Sequence, residues 1–515
     1  MTERRIAIRR ALFSAYDKAG IADLARALAT RGVEILATGA TAAHLRGAGI
    51  AVRPLEELTG FDDLFEGRVK TLTPAVHGGL LMRRDRAGDR EQAAAHGIAP
   101  IDLACVNLYP FRETVARSAA DREACIEMID IGGPAMIRAA AKNHRHVVVV
   151  PSPARYAEVL AALPDGEASV PEALAARLAA EAFALTAAYD ADVFRYLSGD
   201  ALLDSWAVGG TRWLPLRYGE NPSQAAACYL TGGPFWMAVQ VHQGKELSYN
   251  NLADVWAGWR AGRDFPECAS VVIKHRMPSG IALGASPLEA FTRARDADAL
   301  SAFGGVVLVN REGDAALARA ASAMFLEIVA APAWSAEALA IFARKKNLRV
   351  LSLPDPNGAM PRFDFYAAGD AALVQEALTV GSAPAAWSCV TRARAGDETL
   401  AELGFAWRVV RHVRSNAIAL TRQRGTIGLG GGQTSRIDAC EVALMKARRA
   451  GHETAGAVLA SDAFFPFPDV VERAAQAGVC AIVQPGGSRN DAESIAACDA
   501  CGLPMYFTGE RVFAH

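Results

Sequence analysis

Short β-branched runs separated by alanine-rich stretches of helical period constrain this chain more than any other feature. Alternation of that kind is the pattern of parallel strands joined by crossover helices, so the fold class is expected to be α/β. In the first half, Arg10-Ala-Leu-Phe-Ser14 reads as a strand. Residues 20–28 read as a helix carrying Ile21, Leu24, Ala25 and Leu28 on one face. Val33-Glu-Ile-Leu-Ala37 is the next strand, after which Thr38-Gly39-Ala40-Thr41 opens another helix. Further strands are expected at 103–107 and 146–150, and a long helix over 171–196. The Gly/Trp-rich segment 199–213 marks the expected boundary between domains 1–198 and 199–515. The second half alternates less regularly, with strands expected at 271–273, 305–309, 426–429 and 480–484 and no short-period repeat.

With 515 residues, of which 51% are hydrophobic and 21% charged, the chain can bury more than one large core. The net charge of −2 argues against a general nucleic-acid binder or a membrane-surface protein. No run of about 18 apolar residues predicts a membrane-spanning helix. The first five residues, Met1 to Arg5, lead into no apolar secretion-signal core. Nine scattered cysteines suit reduced thiols in a cytoplasm. The one CxxC, Cys498 to Cys501, has no second pair to complete a zinc site, and it falls in an expected helix over 492–501. It reads as helical filler.

The richest stretch for chemistry is Val271-Val272-Ile273-Lys274-His275, which runs into Arg276-Met277-Pro278-Ser279-Gly280. A buried strand ends on a lysine and a histidine, and Pro-Ser-Gly is expected to form the turn. There a neutral imidazole can take a proton from a weakly nucleophilic amine, while an ammonium steadies developing negative charge. The bland alternative is a strand that surfaces with two solvated polar residues. In the first half, Thr38, Gly39 and Thr41 suit an anion at a helix N-terminus, although an ordinary N-cap explains them equally. Arg68, Lys70 and Thr71 can surround a phosphate or form a solvated basic turn. Asn107 and Tyr109 end a strand where parallel sheets keep ligands. Asp130 precedes Gly132-Gly133-Pro134, and Lys142 lies at the end of the following helix. In the second half, Arg217-Tyr218 and Ser248-Tyr249-Asn250-Asn251 are dense in hydrogen-bonding groups. Residues 427–436 are read as a glycine-rich nest able to hold an anion. Phe464-Phe465-Pro466-Phe467 suits a flat heterocycle, and a packed core loop explains it almost as well.

These motifs together resemble the family of bifunctional purine-biosynthesis enzymes that are both 5-aminoimidazole-4-carboxamide ribonucleotide (AICAR) transformylases and inosine monophosphate (IMP) cyclohydrolases. GRVKTL, NLYPF, IDIGGP, AAAKNH, LRYGENP, GKELSYNN, KH, SAFGG, SNA, GGGQTSR, SDAFFPF and QPGGS follow in family order through essentially the whole chain. The resemblance implies an N-terminal methylglyoxal-synthase-like, Rossmann-type cyclohydrolase domain. It also implies a C-terminal transformylase domain of two cytidine-deaminase-like α/β subdomains. It implies 10-formyltetrahydrofolate as cosubstrate, no catalytic metal, and a homodimer with transformylase sites at the subunit interface; a monovalent cation is left open.

The site residues it implies are specific. In the transformylase His275 is the base, Lys274 stabilises the oxyanion, and Asn416 orients them. Arg217, Tyr218, Asn250, Gly305, Glu327 and Arg511 contact the nucleotide, and Gln433, Phe464, Phe467 and Asp469 the folate. In the cyclohydrolase Lys70 and Tyr109 stabilise oxygen charge, and Asp130 and Lys142 handle protons. Ser14, Lys18, Thr38, Gly39, Thr41, Arg68, Thr71, Asn107 and Gly132 hold phosphate and ribose. Three positions depart from the family pattern: Thr73 stands where a histidine is usual, Ser223 likewise, and Met277-Pro278-Ser279-Gly280 replaces N-P-C-G. These departures keep two other expectations open: a specialised paralogue acting on an AICAR-like substrate, and a non-catalytic nucleotide-binding regulator.

Overall fold

The computed structural model describes residues 4–60, 64–118, 121–199, 201–233, 235–358, 360–379 and 381–515. The chain divides into two compact units, Met1–Arg212 with Tyr229–Gly232, and Trp213–Cys228 with Gly233–His515.

The first unit is built on five parallel strands: β1 (Arg10–Ala15), β2 (Glu34–Ala37), β3 (Arg53–Pro54), β4 (Leu103–Asn107) and β5 (Val148–Val150). β4 is buried from Leu103 to Val106 and β5 throughout, as strands covered on both faces must be. Helix α1 (Ile21–Ala29) buries the four apolar residues that its spacing places on one face. Helices α2 (Gly39–Gly47) and α3 (Gly132–Lys142) follow β2 and precede β5 respectively. The 27-residue α4 (Glu172–Ser198) buries Ala175, Leu178, Ala179 and Ala182 and stops at Gly199, whose φ is 58°. The spatial order β3-β2-β1-β4-β5 reverses direction between β1 and β4. Ligand crevices in open parallel sheets form at such a reversal, outside the carboxyl ends of the strands.

The second unit is one mixed sheet made of two halves built alike. The first half runs α5 (Tyr249–Gly262), β6 (Ala269–Lys274), β7 (Met277–Leu283), α6 (Pro287–Asp296), β8 (Val306–Val309), β9 (Ile328–Ala331) and β10 (Arg349–Ser352). The second runs α7 (Asp397–Val410), β11 (Ile418–Arg422), β12 (Gly425–Gly430), α8 (Arg436–Arg449), β13 (Val458–Ser461), β14 (Ala481–Gln484) and β15 (Met505–Phe507). α5 and α7 are both 14 residues long. Each half opens with an antiparallel hairpin and continues into parallel strands. The halves join edge to edge where β7 pairs antiparallel with β12, Ala282 opposite Gly425.

Both hairpins turn on two residues with positive φ, His275 (54°) with Arg276 (63°), and Gln423 (53°) with Arg424 (56°). Positive φ at both central positions fits the right-handed twist of the flanking strands, although Asn-Gly is the usual solution. Here a half-buried carboxylate holds each turn from below. Asp254 Oδ1 accepts the Arg276 amide at 2.6 Å, and Glu402 Oε2 accepts the Arg424 amide at 2.6 Å. This corrects the expected turn at Pro278-Ser279-Gly280: the chain reverses two residues earlier, and those three residues lie inside β7.

Part of the glycine-rich 427–436 segment, expected as an anion nest, is strand: the strand runs to Gly430. Gly428 and Gly430 are strand residues over which α8 lies so closely that a Cβ would sit 2.2 Å from Ala443 O and 1.8 Å from Ala439 O. Gly280 does the same for α6, with Ala294 O at 1.9 Å. Gly430→Ala should therefore lower unfolding stability by about 1–3 kcal/mol or more, as an overpacked core does. Gly396→Ala, where nothing lies within 4 Å, is the matched control. Equal denaturation midpoints for the two variants would contradict this packing.

Candidate active sites

In the first unit, the residues at the β1/β4 reversal converge. Asn107, ending β4, accepts the Tyr16 and Asp17 amides at 2.7 and 3.0 Å and donates to Asp17 O at 2.8 Å. It shapes the loop after β1, which carries Lys18, whose Nζ donates to Tyr16 O. Tyr109 is exposed and meets the edge of the Tyr16 ring at 5.8 Å. Ser14 and Thr38, at the ends of β1 and β2, share a hydroxyl hydrogen bond of 3.2 Å, and Gly39 is the first residue of α2.

Asp130 sits just before α3. Its Oδ1 accepts the Gly133 amide at 2.7 Å, and its own amide donates to Tyr189 Oη. Burial pushes its carboxyl pKa up, opposed by hydrogen bonds from the Gly133 and Tyr109 amides. Gly133 must be glycine, because a Cβ would lie 2.4 Å from Asp130 Oδ2. Thr71 is buried against the same loop, 2.8 Å from where a Gly132 Cβ would be.

Three expected members are placed differently. Thr41 is buried, with its hydroxyl exchanging hydrogen bonds with Ala15 N and O, so it anchors the end of β1. Arg68 is ion-paired with Glu127. Lys142 ends α3, whose 11 residues set it about 16 Å along the axis from the Asp130 end. Lys142 is exposed there and does not join Asp130 within the unit. Thr73 caps the helix Pro74–Leu81, accepting the Val76 amide, a role that threonine fills well.

In the second unit the site assembles at one end of the sheet. Lys274 is half-buried and donates to Phe303 O at 2.9 Å, while His275 is exposed at the turn. Gly305 is pressed against the base of the hairpin, where a Cβ would lie 3.0 Å from Ile273 O. Glu327, at the start of β9, accepts from Arg349 at 2.7 Å. Burial pushes the Asp254 carboxyl up, while the Arg276 amide and the His275 charge pull it down. Arg276 pairs with Glu220 at 2.9 Å, and Asn250 Nδ2 donates to Glu220 O. These contacts draw in the loop bearing Arg217, whose guanidinium lies 5.2 Å from the Tyr218 ring centre. Ser223 is exposed at the tip of that loop.

The β7–β12 pairing brings Met277 beside Gly431, whose Cβ would lie 3.1 Å from Met277 Sδ. Next to it, Asn416 Nδ2 donates to Gln433 O at 3.0 Å, and Asn416 Oδ1 accepts from Arg436 at 2.6 Å. Arg436 is buried in an ion pair with Asp462. Asp462 also accepts from Ala417 N and from Ser415 Oγ. Val512 N donates to Asp462 O, and Ala514 N to Ser415 Oγ, so the C-terminal segment carries Arg511 to the same cluster. Of the aromatic run after β13, Phe464 and Phe467 are exposed and Phe465 is fully buried, so two rings rather than three face outward. Asp469 opens the helix Asp469–Gln476.

Sequence reasoning missed Asp254, Arg276, Arg436 and Asp462. Asp254 follows Asn250 at i+4 on α5, a signal of a shared face. The Arg436–Asp462 pair joins two motifs whose partnership no spacing discloses. Among the described residues no group of three or more His, Cys, Asp or Glu is arranged to hold a metal.

A family model described as AICARFT/IMPCHase bienzyme matches residues 140–446, and one described as MGS-like domain matches residues 20–135. The chain is 46% identical over 513 residues to the bifunctional purine biosynthesis protein PurH of Synechococcus elongatus, covering 98% of this chain and 99% of that protein. It is 47% identical over 509 residues to the protein of the same name from Chloroflexus aurantiacus, covering 98% of each. A solved structure described as the crystal structure of ForH is 38% identical over 37% of this chain and 98% of that one, at a TM-score of 0.33, too low for a fold argument. With similarity running through both units at nearly full length, the chain belongs to the AICARFT/IMPCHase family of bifunctional purine-biosynthesis enzymes.

Proposed function

We propose that the second unit transfers a formyl group from 10-formyltetrahydrofolate to AICAR at the Lys274–His275 hairpin, and that the first unit closes formyl-AICAR to IMP at the Asp130 loop. The observation that carries this reading is the hairpin itself: a cation and an imidazole held on an exposed turn by a half-buried carboxylate. Pure nucleotide binding has no need of that arrangement. The AICAR amine is a poor nucleophile because its lone pair is drawn toward the carboxamide, so His275 takes its proton as it attacks the formyl carbon. Lys274 stabilises the tetrahedral oxyanion until the folate nitrogen leaves. Asn416, fixed by Arg436, orients the complex. Arg217, Tyr218, Asn250, Gly305, Glu327 and Arg511 serve the nucleotide, and Gln433, Phe464, Phe467 and Asp469 the folate.

In the cyclisation the carboxamide nitrogen attacks the formyl carbon, and the former formyl oxygen leaves as water. Asp130 takes the carboxamide proton and returns it to the oxygen, on which Lys70 and Tyr109 stabilise charge; loss of the formamide N–H proton as the C=N bond forms completes the departing water. Ser14, Lys18, Thr38, Gly39, Thr71, Asn107 and Gly132 line the phosphate and ribose end. Thr41, Arg68 and Lys142 are left out, because the first is spent on the backbone, the second is paired with Glu127 and the third lies at the far end of α3. We also assign the enzyme to the cytoplasm as a homodimer. The nine cysteines, all free, and the exposed Tyr366 and Leu373 on the hairpin 363–376 support that assignment.

Absorbance assays with AICAR plus 10-formyltetrahydrofolate, and separately with formyl-AICAR, test the division of labour. His275→Ala should cut formyl transfer by about 100-fold or more while sparing cyclisation of supplied formyl-AICAR. Near-normal transfer by a folded variant would sink the base assignment. Asp254→Ala should lower kcat for transfer by about 10- to 100-fold with little change in AICAR KM, since it loosens the turn without touching substrate. A purely structural role would instead lower the melting temperature and leave kcat per folded molecule intact.

Asp130→Asn should remove cyclisation and leave transfer unchanged. Its pH dependence has a definite sign. The base acts ionised, and burial favours its neutral form, so cyclisation should fall away on acidification at a pH above the ordinary aspartate value of about 3.9. An acid limb at or below that value contradicts the assignment.

A further inference from the structure

A cavity of about 480 Å³ in the second unit plays no part in either proposed reaction. It lies between the end of α5, the start of the 363–376 hairpin and residues 411–412 after α7, and its volume falls in the range of small-molecule sites. Four arginines line it, Arg260, Arg263, Arg362 and Arg411. Their carboxylate partners are fewer. Arg362 pairs with Glu376 at 3.0 Å and Arg260 with Asp364 at 3.1 Å. Asp264 is shared between Arg411 at 3.3 Å and His412 at 2.6 Å. Arg263 makes no ion pair among the described residues. Its Nη2 donates to Gly358 O, its guanidinium carbon lies 4.8 Å from the Trp259 ring centre, and its buried Nη1 has no partner among the described residues. Arg411 is 7% exposed, and its Nη1 is also buried without a partner among the described residues. Burial pushes the pKa of both guanidinium groups down.

Two unpartnered guanidinium N–H groups on different arginines, around one cavity with surplus positive charge, are donors awaiting oxygen acceptors. We propose that this cavity binds a small organic molecule bearing at least two anionic oxygen groups, phosphate or carboxylate, with one oxyanion bridging Arg263 and Arg411. The proposal stands apart from the assignment of the two reactions. Arg411 and His412 immediately precede the segment that carries Asn416, so an occupant would touch the chain leading to the transformylase site.

Calorimetric titration of the full-length protein with pyrophosphate, and separately with triglutamate, tests the site. Arg263→Gln and Arg362→Gln should each weaken binding of the responding probe by about tenfold or more. Arg217→Gln, at the proposed nucleotide site, should leave that binding unchanged. Unaltered melting temperatures will show that the variants are folded. A response to pyrophosphate alone assigns a phosphate ligand, and a response to triglutamate alone a polycarboxylate. The proposal is overturned if neither probe binds the unaltered protein. It is equally overturned if binding survives both cavity variants or is lost in Arg217→Gln.

Discussion

A half-buried carboxylate beneath a hairpin turn is the interaction on which the transformylase half of this protein depends. His275 and Arg276 both adopt positive φ, a conformation that costs a non-glycine residue about 1–2 kcal/mol. Asp254 accepts the amide that this conformation exposes, and so converts an unfavourable turn into a fixed one. Glu402 does the same beneath Gln423 and Arg424, from the equivalent position on α7. The device therefore belongs to the repeated half and not to the chemistry. One copy carries Lys-His at the turn, the other Arg-Gln, and only the first offers an imidazole beside an ammonium. Repetition supplied the same carboxylate-held turn twice, and residue choice gave only one of them an imidazole.

The second organising contact is the Arg436–Asp462 pair. Asp462 is wholly buried and accepts from three neighbours, while Arg436 divides its donors between Asp462, Ser461 and Asn416. Removing one member of such a pair leaves the other charge buried and uncompensated, typically at about 3–5 kcal/mol. That cost explains why three separate stretches, around 415, 461 and 512, hold one arrangement around Asn416. The close helix contacts over Gly280, Gly428 and Gly430 complete the same design, since only bare strand backbone lets α6 and α8 lie so near the joining hairpins.

Much of the fold was legible from the chain. The apolar spacing of Ile21, Leu24, Ala25 and Leu28 gave α1, and the β-branched runs gave β2, β4, β5 and β6, because those signals are local and periodic. Periodicity alone did not disclose the duplication of the second unit, which only the family resemblance implied. Its two halves share helix length, turn geometry and the carboxylate beneath the turn, but few residues, and no short-period search detects that. The roles of Gly428 and Gly430 were hidden for a related reason: glycine permits both an anion nest and a close helix, and only the position of α8 gives these two the second role.

The candidate sites divide in the same way. Sequence by itself determined which residue types were available, and that a lysine and a histidine end one strand, an asparagine and a tyrosine another, and an aspartate precedes a Gly-Gly helix start. Tertiary structure decided which of them meet. It set Asn107 and Asp17 together across the β1–β4 reversal, moved Lys142 a helix length from Asp130, turned Phe465 into the core, and enlisted Asp254 and Arg436 as supports. The physical reason is that reactivity is carried by side-chain type, which is written residue by residue. Proximity is fixed by strand order, helix length and burial, which depend on every other part of the chain.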